Sequence, residues 1–388
     1  MDSKQWSRTG FLAALGAGAG ALALPSDAAV MDMINQRPYD WGTPLDELGQ
    51  SLYTPNNIFF IRSHMGPPAS TPAGTWRLTV DGLVEHPLHL TLADLRAFPK
   101  HEVPAVLQCA GNGRSLYGNA YPTVSHPAGA QWRTGGIGNA RWGGARVRDI
   151  LAKAGVKPGA HFSTNFGRDN PLLPTTPKFI RGIELSKLMD EDTLLVYEMN
   201  GTPLPYYHGF PVRLLVPGWA ADHSVKWITN MTLAATITDT FWTGIGYRYP
   251  DKIGKPGVGV KPAAEHPVTV LNVKSIVTAP LSQSTVKVNQ PVTVTGFAWS
   301  GDGAYATSVD VSADGGTTWN PAILGPSPGK FAWRTFSFAW TPKAAGSARI
   351  MARATDNRGA VQPMKSPWNP GGYLWNGIQS VDVEVSNA

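Results

Sequence analysis

From residue 268 to the C-terminus, short strand-like runs follow one another with no helical segment between them. The runs occupy residues 268–273, 292–299, 308–312, 331–340, 348–355 and 380–385. Turn signals such as Asp302-Gly303 and Asp314-Gly315 separate them. Several short strands joined by turns are typical of an immunoglobulin-like β-sandwich. The sequence therefore predicts an all-β domain over residues 268–388.

Residues 31–250 combine helix and strand signals. Strand-like runs occupy residues 76–80, 194–199, 212–216 and 225–229, and Asp81-Gly82 and Asn200-Gly201 are turn signals. Residues 91–94 are typical of a capping box, and residues 147–154 predict a helix that Gly155 closes. Helices and strands do not alternate regularly, which favours an α+β domain over a doubly wound sheet.

The segments before and after this first domain have compositions that differ from the domain itself. Segment 251–267 is rich in Gly, Pro and Lys, which predicts a linker or a loop draped over the first domain. In residues 1–30, Lys4 and Arg8 precede an apolar stretch and small residues at 26–28, a pattern that predicts an export signal and a periplasmic protein. The stretch is too short and too rich in glycine for a stable membrane span. Residues 7–12 resemble a twin-arginine signal with a single arginine, which leaves the export route open.

Charge and cysteine content narrow the function classes. The 388 residues carry a net charge of +6, yet no lysine–arginine run is present, so the sequence predicts no nucleic-acid partner. A mild positive balance suits a small anionic substrate. The single cysteine cannot form an internal disulfide, although an oxidising compartment would permit one.

That cysteine, Cys109, follows an apolar run and precedes a Gly-Asn-Gly turn, which predicts a position at the end of a strand. The nearby charge of Arg114 favours a thiolate, and thiolates are soft ligands that transition metals prefer. The alternative is a small buried side chain, because free cysteine is among the most buried residue types.

Several cationic residues of the first domain follow strand-like runs or tight turns. They are Arg62, His64, His208, Arg213 and Lys226. Together they would form an electropositive pocket suited to an oxyanion or a phosphate. Taken singly, each is also typical of a solvated strand end, and Lys226 of an edge strand that faces water. Tyr247 or Tyr249 could present a phenol to a substrate oxygen, or could pack on the surface as loop aromatics.

The order and spacing of these motifs resemble the sulfite oxidase family of molybdenum enzymes, in particular the bacterial haem-free sulfite dehydrogenases. The matching segments are residues 60–64 (FIRSH, with Ser63 where the family has asparagine), 107–112 (LQCAGN), 197–201 (YEMNG), 208–213 (HGFPVR), 217–219 (PGW) and 225–227 (VKW). In the second domain, residues 312–319 (SADGGTTW) are similar to the family's dimerisation domain.

The resemblance implies a role for each candidate residue and one Mo-molybdopterin per chain. Cys109 would ligate molybdenum, and Arg62 and Arg114 would shape the anion pocket. Tyr247 is the best match to the active-site tyrosine, with Tyr249 as the second choice. The pterin and its phosphate would be held by His64, Asp169, His208, Arg213 and Lys226.

The resemblance also implies the reaction, which is oxidation of sulfite to sulfate with two electrons passing to molybdenum. An arginine fork suits such an oxyanion. The sequence has no Cys-x-x-Cys-His motif and no cytochrome b5-like region, so it predicts no haem in the chain and an external c-type cytochrome as acceptor. The second domain would mediate a homodimer.

One difference from the family's sequence pattern leaves two other functions possible for this chain. Residues 368–373 hold no arginine where sulfite oxidases place one in the substrate pocket, and one charge-assisted contact is worth roughly 1.5–3 kcal/mol. The alternative enzyme is a sulfane dehydrogenase acting on sulfur bound to a carrier protein. The alternative from another class is a secreted immunoglobulin-like binding module without catalysis.

Overall fold

The computed structural model describes residues 31–36, 39–171, 173–259, 261 and 264–387. The predicted export signal, residues 1–30, lies outside the described residues. Among the residues described, no helix has both the length and the apolar character that crossing a membrane requires.

The first part of the chain folds into small sheets surrounded by short helices. Its strands are β1 (Asp32–Asn35), β2 (Asp40–Gly42), β3 (Ile61–Arg62), β4 (Leu78–Gly82), β5 (Leu88–Leu90), β6 (Lys100–Gln108), β7 (Ile137–Arg146), β8 (Phe162–Gly167), β9 (Ile180–Glu184), β10 (Leu194–Met199), β11 (Thr202–Pro203), β12 (Arg213–Leu215), β13 (Ile228–Ala234), β14 (Arg248–Pro250) and β15 (Glu265–Pro267). Its helices are α1 (Leu45–Leu48), α2 (Leu92–Arg96), α3 (Leu116–Ala120), α4 (Val147–Ala154) and α5 (Leu185–Leu188).

These strands form two larger and two smaller sheets in the described part of the chain. One larger sheet has the order β11-β10-β7-β6 with β12 paired to β10, and the other has the order β5-β4-β13-β8-β9. The smaller ones are β1-β2-β3 and β14-β15. Only the β4–β13 pairing is parallel among the strand pairs of the two larger sheets, so the sheet is not doubly wound and the predicted α+β class is confirmed.

The second part is a β-sandwich. Its strands are β16 (Lys274–Ala279), β17 (Thr285–Lys287), β18 (Val292–Trp299), β19 (Ala306–Ser312), β20 (Asn320–Pro321), β21 (Ile323–Leu324), β22 (Arg334–Trp340), β23 (Gly346–Asp356) and β24 (Ser380–Ser386). They form the sheets β16-β18-β22-β21 and β17-β24-β23-β19-β20. Val294 and Phe336 of one sheet share a buried apolar cluster with Ile350 and Val383 of the other, which is how two sheets bury a common core.

Several elements that local sequence patterns predicted are present in the structure. Thr91 caps α2 with its hydroxyl, which accepts from the Asp94 backbone N–H at 3.0 Å, while the Thr91 N–H donates to the Asp94 carboxylate at 2.8 Å. Helix α4 ends at Gly155, whose φ of +70° favours glycine. Asn200 and Gly201 both have positive φ and join β10 to β11 as a two-residue turn.

Two predicted strands have shifted bounds and a third is not a strand, and each difference has a tertiary cause. Strand β4 continues through Gly82 because these residues pair with β13, and a Cβ at Gly82 would lie only 2.2 Å from the Leu233 carbonyl oxygen. Residues 225–227 form a turn before β13, since Trp227 has a φ of +47°. Residues 268–273 are not a strand; Val268 and Leu271 are buried where the two domains meet.

The two ends of segment 251–264 lie side by side, because strand β14 before it pairs with strand β15 after it. A Cβ at Gly257 would lie 2.9 Å from a Val124 side-chain methyl, so the described part of this segment passes over the first domain. The arrangement resembles the draped loop more than an extended linker.

The sandwich packs directly on β6. The Val106 N–H donates to the Phe331 carbonyl oxygen at 2.9 Å, and the Trp299 indole N–H donates to the Gln108 side-chain oxygen at 3.1 Å. Because Gln108 is the last residue of β6, both domains determine where the following residue, Cys109, lies.

Candidate active site

Cys109 lies at the end of β6, as predicted. Its N–H donates to the Gly136 carbonyl oxygen at 2.9 Å, and its own carbonyl accepts from the Asn112 N–H at 2.9 Å, which closes a turn. Gly113 has a φ of +92°, and a Cβ there would lie 2.5 Å from the Trp375 ring. The turn therefore requires glycine and directs the chain away from the strand. The Cys109 side chain lines a cavity of about 620 Å³, a volume that includes its open mouth.

Eight of the nine predicted site residues line this one cavity. They are Arg62, His64, Cys109, Asp169, His208, Arg213, Lys226 and Tyr247. They come from segments up to 185 positions apart in the sequence, so the fold alone brings them together. Cys109 is 6% exposed and belongs to a buried apolar cluster, and it also lines the cavity that holds the cationic residues.

Arg62 is held from behind by a buried carboxylate. Its Nη1 donates to Asp40 Oδ1 at 2.8 Å and to the Ser63 carbonyl oxygen at 2.6 Å. Asp40 is 1% exposed, and burial raises the pKa of its carboxyl although the charge of Arg62 opposes the rise. The ion pair fixes the guanidinium, and its other N–H groups have no hydrogen-bond partner among the described residues, so they can bind an anion.

Arg213 and His208 are both buried, and they are hydrogen-bonded to each other through the His208 carbonyl oxygen. The Arg213 guanidinium donates to the carbonyl oxygens of His208 and Ser224 at 3.1 and 2.8 Å, and its Nε finds no partner in the described structure. Burial lowers the pKa of Arg213 to about 9, and that of His208 to about 3, so His208 is neutral at pH 7. A buried, unsatisfied guanidinium N–H is costly unless an anion binds it.

Lys226 and Asp169 both line the cavity. The Lys226 ammonium donates to the Ser63 hydroxyl and the Tyr207 carbonyl oxygen, both at 2.9 Å. Burial lowers the pKa of Lys226 to about 7 and raises that of Asp169 to about 6, and the charge of each opposes the other's shift. Lys226 therefore lies on a turn with partners inside the fold, and not on a strand that faces water.

Tyr247 lies in the cavity and Tyr249 does not. The Tyr247 phenol is hydrogen-bonded to His64 Nε2, and the His64 ring stacks on Phe179 with ring centres 4.3 Å apart. Burial raises the pKa of Tyr247 well above its usual value and lowers that of His64 well below it, so both are neutral. Tyr249 is on β14, where its ring lies 5.8 Å from that of His266.

Arg114 is the predicted residue that does not line the cavity. Its guanidinium donates to the carbonyl oxygens of Gly371 and Ala130 at 3.0 and 2.9 Å, and it lies 5.2 Å from the centre of the Tyr373 ring. Burial raises the pKa of the Cys109 thiol, and the charges of Arg62 and Arg114 oppose that rise. Arg114 thus acts on Cys109 through its charge from behind the cavity wall.

The sequence reasoning missed a second buried ion pair at this cavity. Asp222 lines it, and Arg181 lies behind Asp222 with Nη2 2.8 Å from Asp222 Oδ2 and 3.0 Å from His223 Nε2. Asp222 and His223 fall inside the segment 217–227 that carries the family motif, but Arg181 is 41 positions away. No local pattern links them.

The donor set fits a metal held by a cofactor. Over the described ranges, no three His, Cys, Asp or Glu side chains converge as a metal cage. A metal at Cys109 would take one thiolate from the protein and its other ligands from a bound group. The Arg213 Nε without a partner, together with Lys226, fits an anionic part of such a group.

Comparisons with known proteins give a family match for each of the two domains. Residues 64–242 match the oxidoreductase molybdopterin binding domain, and residues 265–386 match the Mo-co oxidoreductase dimerisation domain. The chain is 38% identical over 365 residues to mitochondrial sulfite oxidase of Rattus norvegicus, covering 90% of this chain and 65% of that one. Over 353 residues it is 37% identical to sulfite oxidase of Gallus gallus, covering 88% and 75%.

A solved structure is similar over nearly its whole length. The sulfane dehydrogenase SoxCD from Paracoccus pantotrophus superposes with a TM-score of 0.77 at 27% identity, covering 95% of this chain and 93% of that one. The similarity therefore extends over both the cavity domain and the sandwich.

Proposed function

Because the chain belongs to the sulfite oxidase family, we propose that it is a molybdenum-dependent oxidoreductase that oxidises sulfite to sulfate. The observation that carries the proposal is the Cys109 thiol at the wall of a cavity that also presents Arg62, Arg213 and Lys226. A soft metal ligand beside fixed cations suits a metal cofactor and an anionic substrate in one site.

The residues divide into those that would hold the cofactor and those that would meet the substrate. A Mo-molybdopterin bound here would supply the acceptor for the two electrons of sulfite. Cys109 would be its protein ligand, and the buried donors Arg213 and Lys226 would hold its phosphate, with His208 and Asp169 beside them. Arg114 would support the pocket through its charge.

Arg62 and Tyr247 would orient the substrate. The guanidinium of Arg62 is fixed by Asp40 and would bind sulfite oxygens through its free N–H groups. With His64 Nε2–H donating to the Tyr247 oxygen, the phenol hydrogen is free to donate to a substrate oxygen. Water would supply the fourth oxygen of sulfate, two protons would be released, and the two electrons would pass to the cofactor that Cys109 would hold.

Elemental analysis joined to an assay tests the proposal. The purified protein should contain about one molybdenum per chain, since Cys109 is the one thiol available as a ligand. It should also oxidise free sulfite with ferricytochrome c as acceptor. Protein without molybdenum would contradict the proposal and favour the secreted binding module.

A second candidate function is a sulfane dehydrogenase acting on sulfur bound to a carrier protein. Two observations favour it: the similarity to SoxCD, and the lack of an arginine in residues 368–373, where the resemblance implies a pocket arginine. Turnover with a sulfur-loaded carrier protein but none with free sulfite would select this candidate.

Tyr247→Phe is expected to lower kcat/KM for sulfite by about 100-fold, because a phenol that hydrogen-bonds the reacting group contributes on that scale. Tyr249→Phe is the matched control, since it removes the same hydroxyl from a ring outside the cavity. Steady-state kinetics of both variants measures the difference. Equal losses, or a loss confined to Tyr249→Phe, would reassign the active-site tyrosine.

We also propose the partners and the location that accompany this reaction. Electrons would pass to a separate c-type cytochrome, because covalent c-type haem attachment takes two cysteines and this sequence has one. The sandwich, which matches a dimerisation domain, would mediate a homodimer. Residues 1–30 would direct export to the periplasm. Sedimentation analysis and cell fractionation test the last two points.

A further inference from the structure

Two carboxylates line the cavity beside its cationic side chains. Asp222 is 8% exposed and lies on the short turn Ala221–His223, which places it among the cavity-lining residues. The other lining carboxylate, Asp169, is matched by Lys226. Asp222 instead pairs with Arg181, which is fully buried and outside the cavity lining.

The negative charge of Asp222 reaches the residues that would meet the substrate. Burial raises the pKa of Asp222 to about 6, while the charges of Arg181 and Arg62 oppose the rise. In turn, the charge of Asp222 adds to the raised pKa of Tyr247. Asp222, Arg62 and Tyr247 line the same cavity, so an ionised Asp222 carboxylate would repel an anion that binds there.

Arg181 holds this carboxylate in place. Its guanidinium contacts Asp222 at 2.8 Å and His223 at 3.0 Å, and it lies 5.1 Å from the centre of the Tyr247 ring. One buried side chain therefore positions both Asp222 and the face of Tyr247. Its positive charge also offsets the charge of Asp222 as felt in the cavity.

We propose that Asp222 is a specificity-determining residue that limits the affinity of the cavity for sulfur oxyanions, and that Arg181 is the positioning residue that sets the strength of this effect. The inference rests on the proposed function. Sulfate, the product, is a dianion like sulfite, and the fixed cation Arg62 in the cavity wall would retain it. A carboxylate in the wall weakens that binding and allows the product to leave.

Sulfate binding tests the proposal without depending on turnover. Titration calorimetry with sodium sulfate at pH 8 on the full chain as purified should give a dissociation constant about tenfold lower for Asp222→Asn than for the unsubstituted protein. Arg181→Met should raise the constant about tenfold, because it removes the positive charge that offsets Asp222 in the cavity. The double variant should lie near the unsubstituted protein.

Kinetics and controls complete the test. Asp222→Asn should lower the KM for sulfite more than it changes kcat, and Arg181→Lys should restore the affinity that Arg181→Met loses. Asp310→Asn is the matched control, because it removes one carboxylate from the Arg353–Asp310 pair of the second domain; its sulfate affinity should be unchanged. Asp222→Asn is nearly isosteric and should fold, so its sulfate affinity alone tests the proposal if Arg181→Met does not fold.

An unchanged or weaker sulfate affinity in Asp222→Asn would overturn the proposal, as would the absence of sulfate binding in both proteins. A separate result would reject the proposed function while leaving this inference intact. A protein without molybdenum and without sulfite turnover, but with the expected order of sulfate affinities, would reject the enzyme and keep the anion-limiting role of Asp222.

Discussion

Replacing Cys109 with serine is expected to lower sulfite turnover by more than about 100-fold. Changing a residue that only supports a metal ligand costs roughly 10- to 100-fold, so loss of the ligand itself should exceed that range. Oxygen is a poor substitute for sulfur toward a soft metal. Steady-state kinetics and molybdenum content per chain, measured on the same preparation, check the prediction.

The fold should survive this substitution. Cys109 is 6% exposed, and burying a hydroxyl in place of a thiol costs about 1–3 kcal/mol, which a chain of 388 residues tolerates. Circular dichroism and thermal unfolding should therefore remain close to those of the unsubstituted protein. Turnover at the unsubstituted level in a folded Cys109→Ser protein would remove the metal-ligand role.

Replacing Arg62 with methionine is expected to have two separate effects. It leaves Asp40 buried at 1% exposure without its counter-ion, which should lower the free energy of unfolding by about 3–5 kcal/mol. It also removes a charge-assisted contact to the substrate, which should raise the KM for sulfite roughly 10- to 100-fold. Denaturant unfolding and kinetics measure the two effects.

The double variant Arg62→Met/Asp40→Asn separates them. Asp40 does not line the cavity, and an asparagine there needs no counter-ion, so most of the lost stability should return. The KM should stay high, because the guanidinium is still missing. Recovery of the KM together with stability would show that Arg62 acts only through the fold.

Signals that reach a few residues along the chain were sufficient for several elements. The capping box at Thr91, the helix closed by Gly155 and the turn at Asn200-Gly201 all form as predicted, since each depends on neighbouring backbone groups. The strand predicted over 225–229 begins only at Ile228, because Lys226 bonds the Tyr207 carbonyl oxygen and Trp227 takes a positive φ. No pattern within five residues encodes such a partner.

The site residues also divide into those that the sequence identified and those that only the fold revealed. Family motifs named Arg62, Cys109 and Tyr247 in advance, and they meet at one cavity. The pairing of Arg181 with Asp222 had no such signal, because the two side chains come from β9 and from a turn 41 positions further along. A single arginine or aspartate in a sequence is most often a surface residue.

By itself, the amino-acid order determined the class of each domain, the short helices and turns, and the identity of the residues that carry charge and sulfur. Periodicity and turn chemistry act over a few positions, so they can be read one segment at a time. Tertiary packing alone decided that Tyr247 rather than Tyr249 enters the cavity, that Arg114 stays behind its wall, and that Arg181 supports Asp222. These outcomes depend on which distant backbone and side-chain groups satisfy each buried charge, and burial is a property of the whole fold.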